Sequence, residues 1–273
     1  MNYLVLDGNV RMPQIGLGVF RNPKGKDTQN AVKWALEAGY RHIDTAKAYK
    51  NEYDVGLAIK ESPFKRKDIF ITTKIYNEDV RSLRTEAALK RSLELLQTDY
   101  VDLYLIHWPA EGRVETFKNM IKLREENKIR AIGVSNFTIA QIKELKEKTS
   151  ILPAVNQIEI HPYLTNNDVV SFCQDNGIVV TAYKPMGGGD GDLLQNKVLN
   201  EIGKTHHKSS AQIALRWGIQ RNCIVIPKST HKNRIIENFN IFDFELTTEE
   251  VQRINNLNKN LRYLSHPDEF PFD

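Results

Sequence analysis

Eight short β-branched or aromatic runs, each followed by a stretch of helical periodicity, restrict what this chain can fold into more than any other feature. Runs of that kind read as strands, and apolar positions at i, i+3 and i+4 read as helices. Leu4–Leu6 and Val10–Met12, joined across Asp7-Gly8-Asn9, read as an opening hairpin. Strands are then expected over 15–17, 42–43, 69–73, 101–106, 131–134, 154–157, 179–182 and 224–226. Helices are expected over 28–38, 52–61, 83–96, 114–126, 139–148, 167–175, 195–204, 210–220, 232–238 and 248–258. Strand–helix alternation demands a parallel sheet, and eight units close a barrel better than they fill an open sheet. Gly39, Gly177 and Thr247 stand where helix ends and a helix start need them. No Pro- or Ser-rich linker interrupts the 273 residues, a length that suits one barrel. The expectation is an α/β chain, a (β/α)8 TIM barrel with an N-terminal β-hairpin, forming one domain over 1–273.

A barrel of this kind builds its active site at the carboxyl ends of its strands, so the residue that ends each strand matters most. Four runs end in polar groups: Arg41-His-Ile-Asp44-Thr-Ala-Lys-Ala-Tyr49, Ile69-Phe-Ile-Thr-Thr-Lys74, Val101-Asp-Leu-Tyr-Leu-Ile-His107-Trp108-Pro109 and Ile132-Gly-Val-Ser135-Asn136-Phe137. If the barrel forms, Asp44, Tyr49, Lys74 and His107 converge. A phenol with a pKa near 10 is a poor acid at neutral pH. A nearby ammonium lowers that pKa, an aspartate keeps the ammonium in place, and a His can orient a substrate oxygen. The set suits protonation of a carbonyl oxygen while a nucleophile, such as a hydride, reaches the carbon. Each residue also has an ordinary explanation: Asp44 as a helix cap, Tyr49 as packing, Lys74 as a snorkelling strand end and His107 as a core histidine. Four such groups on successive strands are hard to assign to accident.

No G-x-G-x-x-G follows a strand; Gly16-Leu-Gly18 and Gly187-Gly-Gly189-Asp-Gly191 do not fit it, which argues against a Rossmann fold. Ile226-Pro227-Lys228-Ser229-Thr230 leads instead into Arg234, Glu237 and Asn238. Cations and hydroxyls at a strand end and helix start suit a phosphate, in the region where barrels often hold one. A basic surface turn explains the same residues.

Composition narrows the class. With 38 basic and 34 acidic residues the net charge is +4, and the basic residues are interspersed with acids, as in Lys143-Glu-Leu-Lys146-Glu-Lys148. That is no nucleic-acid footprint. Cys173 and Cys223, the only cysteines, read as small buried thiols. No run approaches the ~20 apolar residues of a membrane span, and the opening segment is no signal peptide. A cytoplasmic protein is expected.

Longer strings carry a family likeness: Met12-Pro-Gln-Ile-Gly-Leu-Gly18, Gly39-Tyr-Arg-His-Ile-Asp-Thr-Ala46, Tyr100-Val-Asp-Leu-Tyr-Leu-Ile-His-Trp-Pro109, Arg130-Ala-Ile-Gly-Val-Ser-Asn-Phe137, Asn156-Gln157 and Ile226-Pro-Lys-Ser229. Nearly end to end, the chain resembles the aldo-keto reductases, in particular the compact microbial and protozoan group that includes 2,5-diketogluconate reductases and prostaglandin F synthases. The resemblance implies NADPH-dependent reduction of a small-molecule carbonyl by a monomer, without a metal. It implies Tyr49 as the general acid, Lys74 as its tuner, Asp44 as the partner of Lys74 and His107 as the carbonyl anchor. Ser135, Asn136 and Gln157 match positions that bind the nicotinamide carboxamide, and Tyr183 the ring that stacks on it. Lys184, Pro185 and Thr230 adjoin the cofactor path; Lys228, Ser229 and Arg234 match a 2′-phosphate clamp, and Glu237 and Asn238 the adenine contacts.

The chain departs from its relatives at Lys184, where they carry Ser, and at Phe20 and Tyr76, where many carry Trp. The tail from Tyr263 to Asp273 is short, which suggests an open pocket. Phe20, Tyr49, Tyr76, His107 and Trp108, with Phe270 from the tail, are the expected substrate wall. Two other readings compete: a regulatory protein that binds cofactor without turnover, and a barrel hydrolase using Asp44 and Glu159 as paired carboxylates.

Overall fold

The alternation closes into a barrel in the computed structural model, which describes residues 2–188 and 192–270. β1 (Tyr3–Val5) and β2 (Arg11–Pro13) pair antiparallel with Leu4 opposite Met12, turning through Gly8 at φ 71°. Hairpin side chains Leu6, Val10 and Met12 share a buried cluster with Phe70, Leu103, Ala131, Ala154 and Ile224 of the barrel, so the hairpin packs on the barrel interior.

The barrel strands are β3 (Leu17–Gly18), β4 (His42–Asp44), β5 (Phe70–Ile75), β6 (Val101–Ile106), β7 (Ile129–Ser135), β8 (Val155–Glu159), β9 (Val179–Tyr183) and β10 (Cys223–Val225), each parallel to the next. Closure depends on a narrow seam. Ile15 bridges to Val225 and Gly18 to Lys228; Gly16 N–H donates to Val225 O at 2.9 Å and Gly18 N–H to Pro227 O at 3.0 Å. Glycine is required here by the close approach. A Cβ on Gly18 would lie 2.9 Å from Ile226 O, and one on Gly16 would lie 2.3 Å from His42 Nδ1.

Helices alternate with the strands: α1 (Lys26–Ala38), α2 (Glu52–Lys60), α3 (Asn77–Arg81), α4 (Thr85–Leu96), α5 (Arg113–Glu125), α6 (Ile139–Thr149), α7 (Asn167–Asp175), α8 (Lys197–His206), α9 (Ser210–Gln220), α10 (Lys232–Phe239) and α11 (Thr248–Asn255). Their apolar stripes face the sheet; α1 buries Ala31, Val32, Ala35 and Leu36. Gly39 ends α1 in the left-handed region at φ 111°, and the Thr247–Glu250 capping box starts α11, both as expected.

The clearest corrections to the expected boundaries are four. The helix placed over 83–96 starts at Thr85, with the separate α3 before it, because Leu83 takes a left-handed φ of 53° and Arg84 N–H returns to Asp79 O at 2.9 Å. The helix placed from 195 starts at Lys197, capped by Asn196, whose side chain accepts the Val198 N–H at 2.9 Å. The last helix stops at Asn255, short of 258, and the first barrel strand is Leu17–Gly18 with Ile15 joined only by a bridge. Both cysteines are buried and free, and burial pushes each thiol up to about 11. Among the described residues, no helix is long and apolar enough to cross a membrane, and no three His, Cys, Asp or Glu side chains could hold a metal ion.

One buried carboxylate ties the start of three strands together. Asp102, second residue of β6, accepts the Arg66 guanidinium and the Ile71 N–H on Oδ2 at 2.8 and 2.9 Å, and Arg130 on Oδ1 at 2.8 Å. Asp102→Ala would leave the buried amide without a partner and two guanidinium groups without their anion. The guanidinium groups reach solvent, so the main loss is the acceptor of the buried amide, about 1–3 kcal/mol, and the melting temperature is expected to fall by roughly 2–12 °C for a chain of this size. Thermal unfolding followed by circular dichroism checks this; a variant melting within a degree of its parent would show the network to be dispensable.

Candidate active site

Asp44 ends β4, Lys74 is the penultimate residue of β5 and His107 directly follows β6, while Tyr49 closes a single helical turn, Lys47–Tyr49, in the loop after β4. The barrel geometry therefore brings together four residues separated by as many as 63 positions, counted from Asp44 to His107 (107 − 44). Lys74 is fully buried. Its Nζ donates to Asp44 Oδ1 at 2.5 Å, Thr45 O at 2.9 Å and Tyr49 Oη at 3.3 Å, which commits all three ammonium protons. Asp44 Oδ2 accepts Gln157 Nε2 at 2.7 Å, so its carboxylate serves the interior and caps no helix. Asn51 pins the loop that carries Tyr49: it accepts Thr45 Oγ1 and donates to Val19 O, both at 2.9 Å. Nothing in the pattern of the sequence marks Asn51 for that task.

The electrostatics differ from the expected tuning. Burial, and after it the charge of Asp44, holds the Tyr49 phenol well above the ordinary tyrosine value. Burial also holds Lys74 below its ordinary value, against the pull of Asp44. Tyr49 is thus a neutral phenol throughout the physiological range, with its proton in place. The contribution of Lys74 is to present an N–H to the phenol oxygen, where it stabilises negative charge once the proton leaves. Burial and the neighbouring Lys74 hold His107 well below the ordinary histidine value, so its ring is neutral. That ring lies edge-on to Tyr49 at 5.6 Å and to Tyr76 at 5.8 Å.

These groups open onto a cavity of about 1400 Å³ that also reaches the β10 loop and α10. At its inner end Phe20, Tyr49, Tyr76, His107 and Trp108 form the wall expected for substrate. Tail residues line this end. Phe270 stacks on Trp108 at 3.9 Å, and Leu264 joins the lining, because Glu159 accepts the Tyr263 and Leu264 N–H groups at 2.8 and 3.1 Å. Glu159 also meets His161 Nε2 at 3.0 Å, so it is occupied structurally and does not pair with Asp44 as a hydrolase would need. The part of the tail beyond Phe270 lies outside the described residues, as do Gly189, Asp190 and Gly191 of the glycine-rich loop.

Every residue expected at a cofactor lines the same cavity. Ser135, Asn136 and Tyr183 form a linked set: Ser135 Oγ donates to Gln157 O at 2.9 Å, Asn136 Nδ2 to His107 O at 3.1 Å, and Tyr183 Oη to Asn136 Oδ1 at 2.7 Å. The left-handed φ of 63° at Asn136, a conformation Asn tolerates, accompanies these contacts. The Tyr183 ring is thereby fixed at the cavity wall. Gln157 has its amide N–H committed to Asp44. Lys184 leaves β9 at a left-handed φ of 48°, with Nζ 5.8 Å from the Tyr263 ring centre, and Pro185 follows it along the wall.

At the other end lie Lys228, Ser229, Thr230, Arg234, Glu237 and Asn238. Partial burial lowers the Lys228 pKa. Neither Lys228 nor Arg234 has a carboxylate within ion-pair distance among the described residues, and both face the cavity. That donor set fits an anionic cofactor. Glu237 accepts the Ser209 hydroxyl, and Ser209, Ser210 and Ala211 at the start of α9 line the groove beside it. The Ser209–Gln212 capping box signals a helix start, but the sequence offers no sign that this helix start borders the cavity.

Comparison with known proteins agrees with this geometry. The model of the Aldo/keto reductase family matches residues 14–259. The chain is 50% identical to the 9,11-endoperoxide prostaglandin H2 reductase of Trypanosoma cruzi (strain CL Brener), covering 98% of this chain and 96% of that one. It is 47% identical to the glyoxal reductase of Bacillus subtilis (strain 168), with the same two shares covered. Its fold superimposes on the crystal structure of MGS-M4, an aldo-keto reductase from a Medee basin deep-sea metagenome library, with a TM-score of 0.95 and 43% identity over 98% of this chain and 99% of that one. The chain is therefore an oxidoreductase acting on carbonyl groups, and it belongs to the aldo/keto reductase family.

Proposed function

We propose that the chain reduces aldehydes and ketones to alcohols with NADPH, Tyr49 being the proton donor. The observation that carries this reading is the state of Lys74: all three of its protons are committed, one of them to a neutral Tyr49 phenol that faces the cavity. NADPH, when bound, supplies the hydride that the carbonyl carbon accepts. The chain's own residues manage the oxygen. Neutral His107 presents one ring N–H, which orients the carbonyl by a hydrogen bond. Tyr49 gives its proton to that oxygen as negative charge develops on it, and the phenolate left behind is met by Lys74. Asp44 keeps the ammonium from turning away.

Ser135, Asn136 and Gln157 would hold the carboxamide of the nicotinamide, and Tyr183 would support its ring. Lys228, Ser229 and Arg234 would take the 2′-phosphate, with Glu237 and Asn238 beside the adenine. Phe20, Tyr76, Trp108 and Phe270 offer an aromatic wall, which suits carbonyl compounds bearing an aromatic or apolar substituent. A regulatory protein that only binds cofactor would have no use for the buried tetrad. Loss of NADPH absorbance with a panel of carbonyl compounds, and NADH run in parallel, tests the whole reading.

Removing the phenol hydroxyl should disable the acid alone. Tyr49→Phe is expected to lower kcat by at least ~10²-fold, the low end for a general acid, with the NADPH dissociation constant unchanged. A variant that retained most of its turnover would exclude Tyr49 from proton transfer.

Because His107 is held neutral, its protonation does not intrude as the pH falls. Turnover at saturating substrate should stay flat from about pH 7.5 to about 5.5, where an ordinary imidazole would take up its proton. A fall in kcat centred near the usual histidine value would contradict the assignment.

A 2′-phosphate between Lys228 and Arg234 gains charge-assisted hydrogen bonds worth ~1.5–3 kcal/mol each before desolvation. NADPH is therefore expected to bind at least ~10-fold more tightly than NADH, which needs only ~1.4 kcal/mol. Arg234→Ala should weaken NADPH and leave NADH nearly untouched. Quenching of tryptophan fluorescence by each nucleotide measures both constants, and equal values in the unmodified protein would return the Lys228 loop to a basic surface turn.

A further inference from the structure

Glu52 is a buried carboxylate that the reaction as described does not use. It is 2% exposed, opens α2 three residues after Tyr49, and does not line the cavity. Its Oε1 accepts the Thr73 hydroxyl at 2.6 Å, and Thr73 directly precedes Lys74 on β5. Ser92 of α4 supplies a second side-chain hydrogen bond. An ion in such a place is expensive, since desolvating a carboxylate costs far more than burying an apolar side chain of the same volume. A purely structural position would do as well with leucine or methionine.

We propose that Glu52 is a positioning residue for carbonyl reduction: through Thr73 it fastens the segment that carries Tyr49 to the strand that carries Lys74, and it places a second anion beside the Lys74 ammonium. This inference rests on the assignment of Tyr49 and Lys74 as acid and partner. Lys74 has no proton to spare for Glu52, because Asp44, Thr45 and Tyr49 take all three. Glu52 therefore acts on it through space and through Thr73.

The groups around both residues set the sign of the effect. Glu52 faces Lys74 from β5, Lys47 from the turn before α2 and the buried Tyr104 hydroxyl from β6. Lys47 is itself paired with Asp79 and Glu78. Lys74 faces Asp44, Tyr49 and Glu52, with His42 and His107 close enough to feel its charge. Burial raises the Glu52 carboxyl above its ordinary value, and Thr73, Ser92, Lys47 and Lys74 oppose that rise without cancelling it. An anion near Lys74 favours its protonated form. Its removal makes Lys74 lose its proton at lower pH, and the phenolate left by Tyr49 then loses its cationic partner on the alkaline side.

Glu52→Gln removes the charge and keeps an oxygen to accept from Thr73. With saturating NADPH and an aldehyde that the unmodified enzyme reduces, the alkaline limb of kcat is expected to move down by roughly one pH unit, the size expected of one nearby opposite charge. The KM for the aldehyde and the dissociation constant for NADPH should hold. If Glu52 only supports the fold, the variant melts at a lower temperature and its pH profile superimposes on that of the parent, which overturns the proposal. Should Glu52→Gln fail to fold, Thr73→Val carries the test: the charge stays but its tether is cut, and kcat should fall several-fold with KM unchanged. An unaltered kcat in that variant overturns the proposal equally. Absence of turnover in the unmodified enzyme would instead remove the reductase reading itself, and this inference with it.

Discussion

The contact between Lys74 and Asp44 is the constraint around which the barrel mouth is arranged. Both side chains are out of water, at 0% and 2% exposure, and 2.5 Å apart. Withdrawing two ions from water costs several kcal/mol each, and attraction alone offsets this only where the remaining protons and lone pairs are also satisfied. Here they are, by Thr45 O and Tyr49 Oη on one side and by Gln157 Nε2 on the other. That requirement reaches outward. Gln157 belongs to β8, on the far side of the barrel, and Ser135 of β7 donates to its backbone, so four strands are held in place around one ion pair.

Much of the architecture was legible in the sequence because a barrel repeats one unit. Strand over 101–106 and helices over 167–175 and 210–220 have the bounds that periodicity alone indicates. Long β-branched runs and strong capping signals leave little choice at those places. One error fell where a single residue takes a left-handed conformation without being glycine. Leu83 interrupts an apolar pattern that reads as one helix, and nothing about leucine announces φ 53°. The first barrel strand is short for a different reason: glycines at 16 and 18 give it close approach in place of propensity.

The convergence of the candidate residues was legible because strand ends are fixed by topology, and topology was legible. Their electrostatics were not. A lysine beside a tyrosine suggests a lowered phenol pKa, yet the depth at which the pair sits reverses the balance, and depth is a property of the closed barrel. The tail shows the same limit. Its length suggests an open pocket, whereas its two hydrogen bonds to Glu159 lay it along the wall and bring Phe270 onto Trp108. Glu159 lies about a hundred residues before the tail in the chain, a separation that no local pattern can bridge.

The seam between β3 and β10 has a consequence for solubility. A sheet that closes on itself has no unpaired rim, and an unpaired rim is where foreign strands attach and aggregation begins. This barrel avoids one through a few hydrogen bonds made by a very short strand, at Gly16 and Gly18. A side chain at Gly18 would force Ile226 away and turn one closed surface into two adhesive borders. The two glycines therefore protect the chain from its own kind as well as shaping the mouth beside Asp44.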